Sequence, residues 1–205
     1  MKKVLLLIMS ASILLACNSL KKMTKQEYSI INNGGENTDV AFMVLQTTNE
    51  EDSLFLRKKS TDISDIQEIS KHKDWQYFLD RLKYTMAVES GVGIAAPQVG
   101  IARNIFLFTR IDKPTKDVQV AINPKIVNHS EETVCFEGDG CLSIPGQSGT
   151  SKRYKWIDVE YYTENGELIK ERLHSGARTE DFTGVIFQHE FDHLQGILYI
   201  DKLCE

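Results

Sequence analysis

Gln188-His189-Glu190-Phe191-Asp192-His193, with twelve residues left before the chain stops at Glu205, is the stretch that decides the fold. Two histidines four apart lie on one face of a helix and can grip a single divalent cation. The glutamate between them is the usual proton acceptor in such motifs. A longer zinc-protease pattern requires a third histidine where Tyr199 stands, and tyrosine does not take that role. So little chain follows His193 that the third ligand is expected upstream. Working back along the helix, Phe182, Val185, Ile186, His189 and His193 fall at i, i+3, i+4, i+7 and i+11. They form one stripe, apolar at its start and metal-binding further on. The helix is expected to begin near Thr179 to Asp181 and to stop at Gly196.

The upstream ligand candidate is Cys141, in Glu137-Gly138-Asp139-Gly140-Cys141-Leu142-Ser143-Ile144-Pro145-Gly146. Flanking glycines free the backbone to present a thiolate from a bent strand edge. A Cys/His/His set holds a transition-metal ion and leaves a fourth position open, the mark of a catalytic site. A third segment, Gly91-Val92-Gly93-Ile94-Ala95-Ala96-Pro97-Gln98-Val99-Gly100, offers almost no side-chain bulk and then one amide donor. A substrate backbone can approach such a wall closely, and Gln98 can polarise a carbonyl from it.

In this order the three segments resemble the signature motifs of the peptide deformylase family, GxGxAAxQ, EGCLS and HExDH. The first and third match in full. The second reads Asp139-Gly140-Cys141-Leu142-Ser143, with aspartate for the usual glutamate. Phe55-Leu56-Arg57-Lys58-Lys59, Ile122-Asn123-Pro124 and the run from Ser143 to Gly166 extend the likeness over roughly residues 43–203. The resemblance implies that Cys141, His189 and His193 bind the metal, iron(II) or zinc, and that Glu190 is the general base. It assigns oxyanion stabilisation to Gln98 and the Leu142 backbone N–H. It also implies that Val92, Phe182, Val185 and Ile186 line a pocket for the first side chain, normally methionine, while Gly91 and Gly93 pair with substrate backbone. The residue replaced by Asp139 supports the metal cysteine from behind in this reading, through an arginine for which Arg153 is the candidate. A second family arginine, shortly after the cysteine, is missing, and Gln147-Ser148-Gly149 stand there instead.

Elsewhere, Trp75, Phe78, Leu79, Leu82, Met86 and Val88 recur at helical spacing from Lys73 to Ser90. The segment Asp52 to Lys59 reads equally as a turn of helix or as extended chain. Strands are expected at 105–110, 119–122, 125–131, 156–163 and 168–173, the last two flanking the hairpin signal Glu164-Asn165-Gly166-Glu167. Strands grouped before a terminal helix, without βαβ alternation, indicate an α+β fold, with antiparallel sheets packed around the C-terminal helix.

At 205 residues and 41% hydrophobic, the chain carries one domain's worth of core. A net charge of −5 gives a nucleic-acid role no support. Lys2 and Lys3 precede an apolar run, Val4 to Ala16, too short to span a membrane comfortably but right for a signal peptide. Leu14-Leu15-Ala16-Cys17 resembles a bacterial lipobox, in which Cys17 is lipidated. Residues 1–16 are thus expected to be a lipoprotein signal peptide, residues 17–42 a flexible polar tether, and residues 43–205 the catalytic domain, a monomer anchored in the cell envelope. Cys135 and Cys204 remain, either bonded to each other or free. The function expected is hydrolysis of the formyl group from N-formylmethionyl peptides. An envelope amidase for another N-acyl peptide, or a catalytically silent peptide-binding lipoprotein, stands as the alternative.

Overall fold

The computed structural model describes residues 23–35 and 37–205. The signal peptide and Cys17 lie outside the described residues. Among the described residues four helices, α1 (Lys25–Ile31), α2 (Glu50–Leu56), α3 (Ile66–Ile69) and α4 (Lys73–Val88), precede the strands. The strands are β1 (Gly93–Ala95), β2 (Ile105–Thr109), β3 (Val118–His129), β4 (Thr133–Cys141), β5 (Ile144–Tyr154), β6 (Trp156–Tyr162) and β7 (Leu168–His174). The last helix is α5 (Thr183–Leu194), followed by a short 3-10 turn, Tyr199–Lys202. Pairing is antiparallel throughout, in a five-stranded sheet of order β1-β2-β3-β6-β7 and a separate β4-β5 hairpin. The α+β architecture read from the sequence is the one found. Among the described residues no helix is long and apolar enough to cross a membrane.

The large sheet is covered on both faces, which explains the unbroken apolar run of β2. Ile105 and Leu107 pack with Leu79, Leu82 and Met86 of α4, while the alternate residues Phe106 and Phe108 pack with Val185, Ile186 and Phe187 of α5. Phe187 meets Phe106 and Phe108 edge-on at centroid distances of 4.9 and 5.3 Å, the geometry aromatic quadrupoles favour. The helix α5 is buried on nearly every side. Gln188 pins it to β5, accepting from the Tyr154 N–H at 2.8 Å and donating to the Tyr154 carbonyl and Ser175 Oγ. Asp181 accepts from the Thr183 N–H at 2.9 Å, and the helix stops at Gly196, whose φ of +73° sets it against the Arg57 carbonyl where a Cβ has no room.

Three expectations change. The strands expected at 119–122 and 125–131 are one strand, β3, interrupted by a register shift between Ile122 and Lys125. Asn123 sits there at φ +49°, and its side-chain amide makes two 2.8 Å hydrogen bonds with the backbone of Ile63. The β4-β5 hairpin, glycine-rich and polar, shows no clean alternation and was foreseen only through resemblance. The stretch 17–42, expected to be flexible, contains a folded segment. Thr24 and Glu27 form a capping box on α1, Glu27 pairs with Arg103, and Ile31 is fully buried. Arg81 of α4, 1% exposed, lies over the Phe42 ring at 3.9 Å and donates to the carbonyls of Ile31 and Val40 at 2.6 and 2.8 Å. One buried guanidinium thereby ties this segment to the domain.

Cys135 on β4 and Cys204 form a disulfide, with Cα atoms 6.0 Å apart. That settles the open reading of these cysteines and leaves Cys141 as the free thiol among the described residues.

Candidate metal centre and active-site cleft

Helix spacing puts His189 and His193 on one side of α5, and the hairpin brings Cys141 to them. The two-residue turn Leu142-Ser143 joins paired Cys141 and Ile144, so the thiol stands at the very tip of β4. The ligand atoms of Cys141, His189 and His193 lie within 4.8 Å of one another, and Cys141 Sγ is 3.2 Å from His193 Nε2. Burial pushes the Cys141 thiol up, but the two imidazoles outweigh it and hold it well below its usual range. Burial likewise pushes His189 down, and Asp139 and Cys141 outweigh that and raise it. A thiolate and two imidazoles converging in a buried place are the donor set of a catalytic transition-metal site, so these residues fit a divalent ion. Tyr199, where a third histidine would stand in the longer motif, is no ligand; its ring lies nearly parallel to that of His189, centroids 6.2 Å apart.

Asp139 departs from its expected role. Its Oδ1 is 2.9 Å from His189 Nδ1, and its Oδ2 accepts from Arg153 Nη2 at 2.7 Å and Ser151 Oγ at 2.5 Å. The carboxylate thus orients a histidine ligand rather than backing the cysteine. Arg153, 2% exposed, also donates to Asp192 at 2.7 Å, and Asp192 accepts from Lys202 at 2.6 Å. Asp139→Asn is expected to weaken metal binding about 10- to 100-fold. By uncovering Arg153, it should also lower stability by about 3 kcal/mol. Chelator competition and thermal melts check both.

Glu190 lies fully inside the cleft, packed on Gly93: a Cβ there would come 2.4 Å from its Oε1. The Glu190 carboxylate therefore leaves no room for any side chain at position 93. Glu190 Oε2 has no protein partner, and burial drives its pKa up to about 7 despite the nearby imidazoles. A raised carboxylate stabilises the fold below its unfolded pKa and loses that contribution as pH rises through 7. In metal-free protein the loss amounts to about 3 kcal/mol. Metal-free Glu190→Gln is expected to melt roughly 6–12 °C above wild type at pH 8 and level with it near pH 4. Equal melting at both pH values would contradict this.

Gln98 is held by its own loop, its Oε1 accepting from the Ala95 N–H at 2.8 Å, so that Nε2 points to Cys141 Sγ at 3.6 Å and Ser143 Oγ at 3.2 Å. The sequence-derived site residues Gly91, Val92, Gly93, Gln98, Cys141, Leu142, Phe182, Val185, Ile186, His189 and Glu190 line one cleft of about 320 Å³, with His193 completing the metal set behind it. On one side runs β1, an edge strand whose outer side is free of any partner strand among the described residues. Three lining residues were not read from the sequence as site residues: Ser90, just after α4, Phe136, in a polar strand, and Arg178, in the loop before α5. No motif signals any of them.

A profile of the family described as polypeptide deformylase matches residues 44–205. The chain is 40% identical over 155 residues to peptide deformylase 2 of a Nostoc species, covering 72% of this chain and 80% of that one. It is 38% identical over 153 residues to the peptide deformylase of Fusobacterium nucleatum, covering 75% and 79%. The crystal structure of peptide deformylase from Thermotoga maritima superposes with a TM-score of 0.67 at 31% identity, over 81% of this chain and 99% of that one. A Met-Ala-Ser-bound class I type b enzyme from Acinetobacter baumannii gives 0.67 at 30% identity, over 80% and 99%. With the match running from residue 44 through the last residue, and all three signature segments facing one cleft, the chain belongs to the peptide deformylase family.

Proposed function

We infer that this protein hydrolyses the formyl amide at the start of N-formylmethionyl peptides and releases formate. The observation that carries the reading is the convergence of Cys141, His189, His193, Glu190 and the Gln98 amide on one spot in the cleft. A divalent ion bound by the three ligands supplies Lewis acidity and a water of lowered pKa. Glu190 takes a proton from the attacking water and passes it to the departing amine nitrogen. Gln98 Nε2 and the Leu142 N–H donate to the formyl oxygen as negative charge builds on it. Phe182, Val185, Ile186 and Val92 receive the first side chain, and Gly91 together with the free edge of β1 at Gly93 takes the peptide backbone as an added strand. The discriminating assay compares formyl-Met-Ala with acetyl-Met-Ala. Release of formate with acetyl left intact upholds a deformylase; the reverse preference selects the amidase alternative.

The protein is read as a lipoprotein, anchored through Cys17 on the outer side of a bacterial membrane, acting as a monomer. The Leu14-Leu15-Ala16-Cys17 run supports this, as does the Cys135–Cys204 disulfide, a bond typical of oxidising compartments. Cys17→Ala is expected to leave the protein unlipidated and free of the membrane fraction; unchanged membrane retention would refute the anchor. Zinc is the ion favoured where iron(II) and thiolates oxidise, and iron predominating in protein isolated from its native membrane would contradict that.

A further inference from the structure

We propose that Arg178 determines substrate length by binding the C-terminal carboxylate of short formyl peptides; the proposal rests on the deformylase reading of the cleft. Formylation removes the charge of a peptide's amino end, so the one charge every short substrate carries is its terminal carboxylate. Among the described residues, Arg178 is the only lysine or arginine lining the cleft. Arg57, Arg103, Arg110, Arg153 and Arg172 are each paired with a carboxylate, and Arg81 is spent on backbone carbonyls. Arg178 differs from all of them: among the described residues its one polar contact is a hydrogen bond to the Gly138 carbonyl. Gly138 sits at φ +72° within the register shift of β4. The guanidinium lies 5.3 and 5.9 Å from the ring centroids of Phe136 and Phe182. It is therefore held at the rim by aromatic faces while most of its five N–H donors stay available for an oxyanion.

Reach agrees with charge. Gly138 precedes Cys141 by three residues on β4, on the order of 10 Å at strand rise. From formyl carbon to carboxylate, an extended di- or tripeptide covers roughly 7–10 Å. A carboxylate placed deeper would face Glu190 and Asp139, which repel it. Peptides of two or three residues with a free carboxylate are thus the favoured class, and longer chains carry their terminal charge past Arg178.

The test uses the full-length protein in detergent with formyl-Met-Ala and formyl-Met-Ala-Ser, each as free acid and as C-terminal amide. Wild type is expected to favour the acids by about 5- to 10-fold in kcat/KM, through KM, at low salt. The acid-to-amide ratio should fall to about one in Arg178→Ala and recover in part in Arg178→Lys, which restores charge without the fork. A ratio of one in wild type, or the same preference in wild type and Arg178→Ala, would overturn the proposal. Absence of formate from every peptide would instead defeat the deformylase reading. The Arg178 ratio would then be read by calorimetric titration with acetyl-Met-Ala as acid and as amide, where loss in Arg178→Ala upholds it and persistence refutes it.

Discussion

Glu190→Gln is expected to lower kcat for formate release by about a thousandfold or more, with stoichiometric metal binding preserved. Glutamine fills the same space against Gly93, where no Cβ is tolerated, so packing in the cleft should hold. What disappears is the group that accepts the water's proton and returns it to the leaving nitrogen. Since Glu190 Oε2 has no protein partner, no neighbouring side chain stands ready to take over that transfer. The loss should appear in kcat rather than in KM, because Glu190 meets the reacting atoms and not the peptide's side chains. Single-turnover formate release, beside metal analysis of the same sample, checks both halves. Retained turnover in the variant would remove Glu190 from the reaction.

Replacing Cys135 and Cys204 together by serine should destabilise the protein by about 4 kcal/mol, since the bond closes a loop with a sequence separation of 69 residues. For a domain of this size the melting temperature should drop roughly 8–16 °C. The bond fastens the terminal segment along β5, where the Cys204 N–H donates to the Thr150 carbonyl at 2.8 Å and Leu203 bridges Ser151. That segment also carries Tyr199, against His189, and Lys202, on Asp192. Metal binding should therefore weaken along with the fold. Melting with and without reductant, in wild type and variant, gives the answer. A reductant-insensitive wild type would show that the bond contributes nothing.

The catalytic helix and three motif segments could be read from the chain because their chemistry is local: fixed spacing along α5, and glycines and a cysteine in short runs. The interior strand β2 was legible for the same reason. The β4-β5 hairpin was not, because Glu137, Gly138, Asp139 and Gly140 carry no apolar alternation, and its stability comes from the partner strand and a disulfide across 69 residues. The attachment of residues 24–42 depends on Arg81 and Arg103, whose partners lie 40 or more residues away. Nothing local in the sequence links those two arginines to that segment. Asp139 was identified as the departure from the family pattern, yet its contact with His189 rather than Cys141 became visible only once β4 and α5 were brought together. Arg178 had no signal at all, being an exposed arginine in a polar loop.

The most direct test is formate release from formyl-Met-Ala by the full-length protein, reconstituted without oxygen with one equivalent of iron(II) and, separately, of zinc. Catalytic turnover with at least one of these ions, abolished by chelator and restored by metal, is the predicted result. Stoichiometric metal binding at Cys141, His189 and His193 with no formate released would contradict the account and assign the cleft to a different substrate.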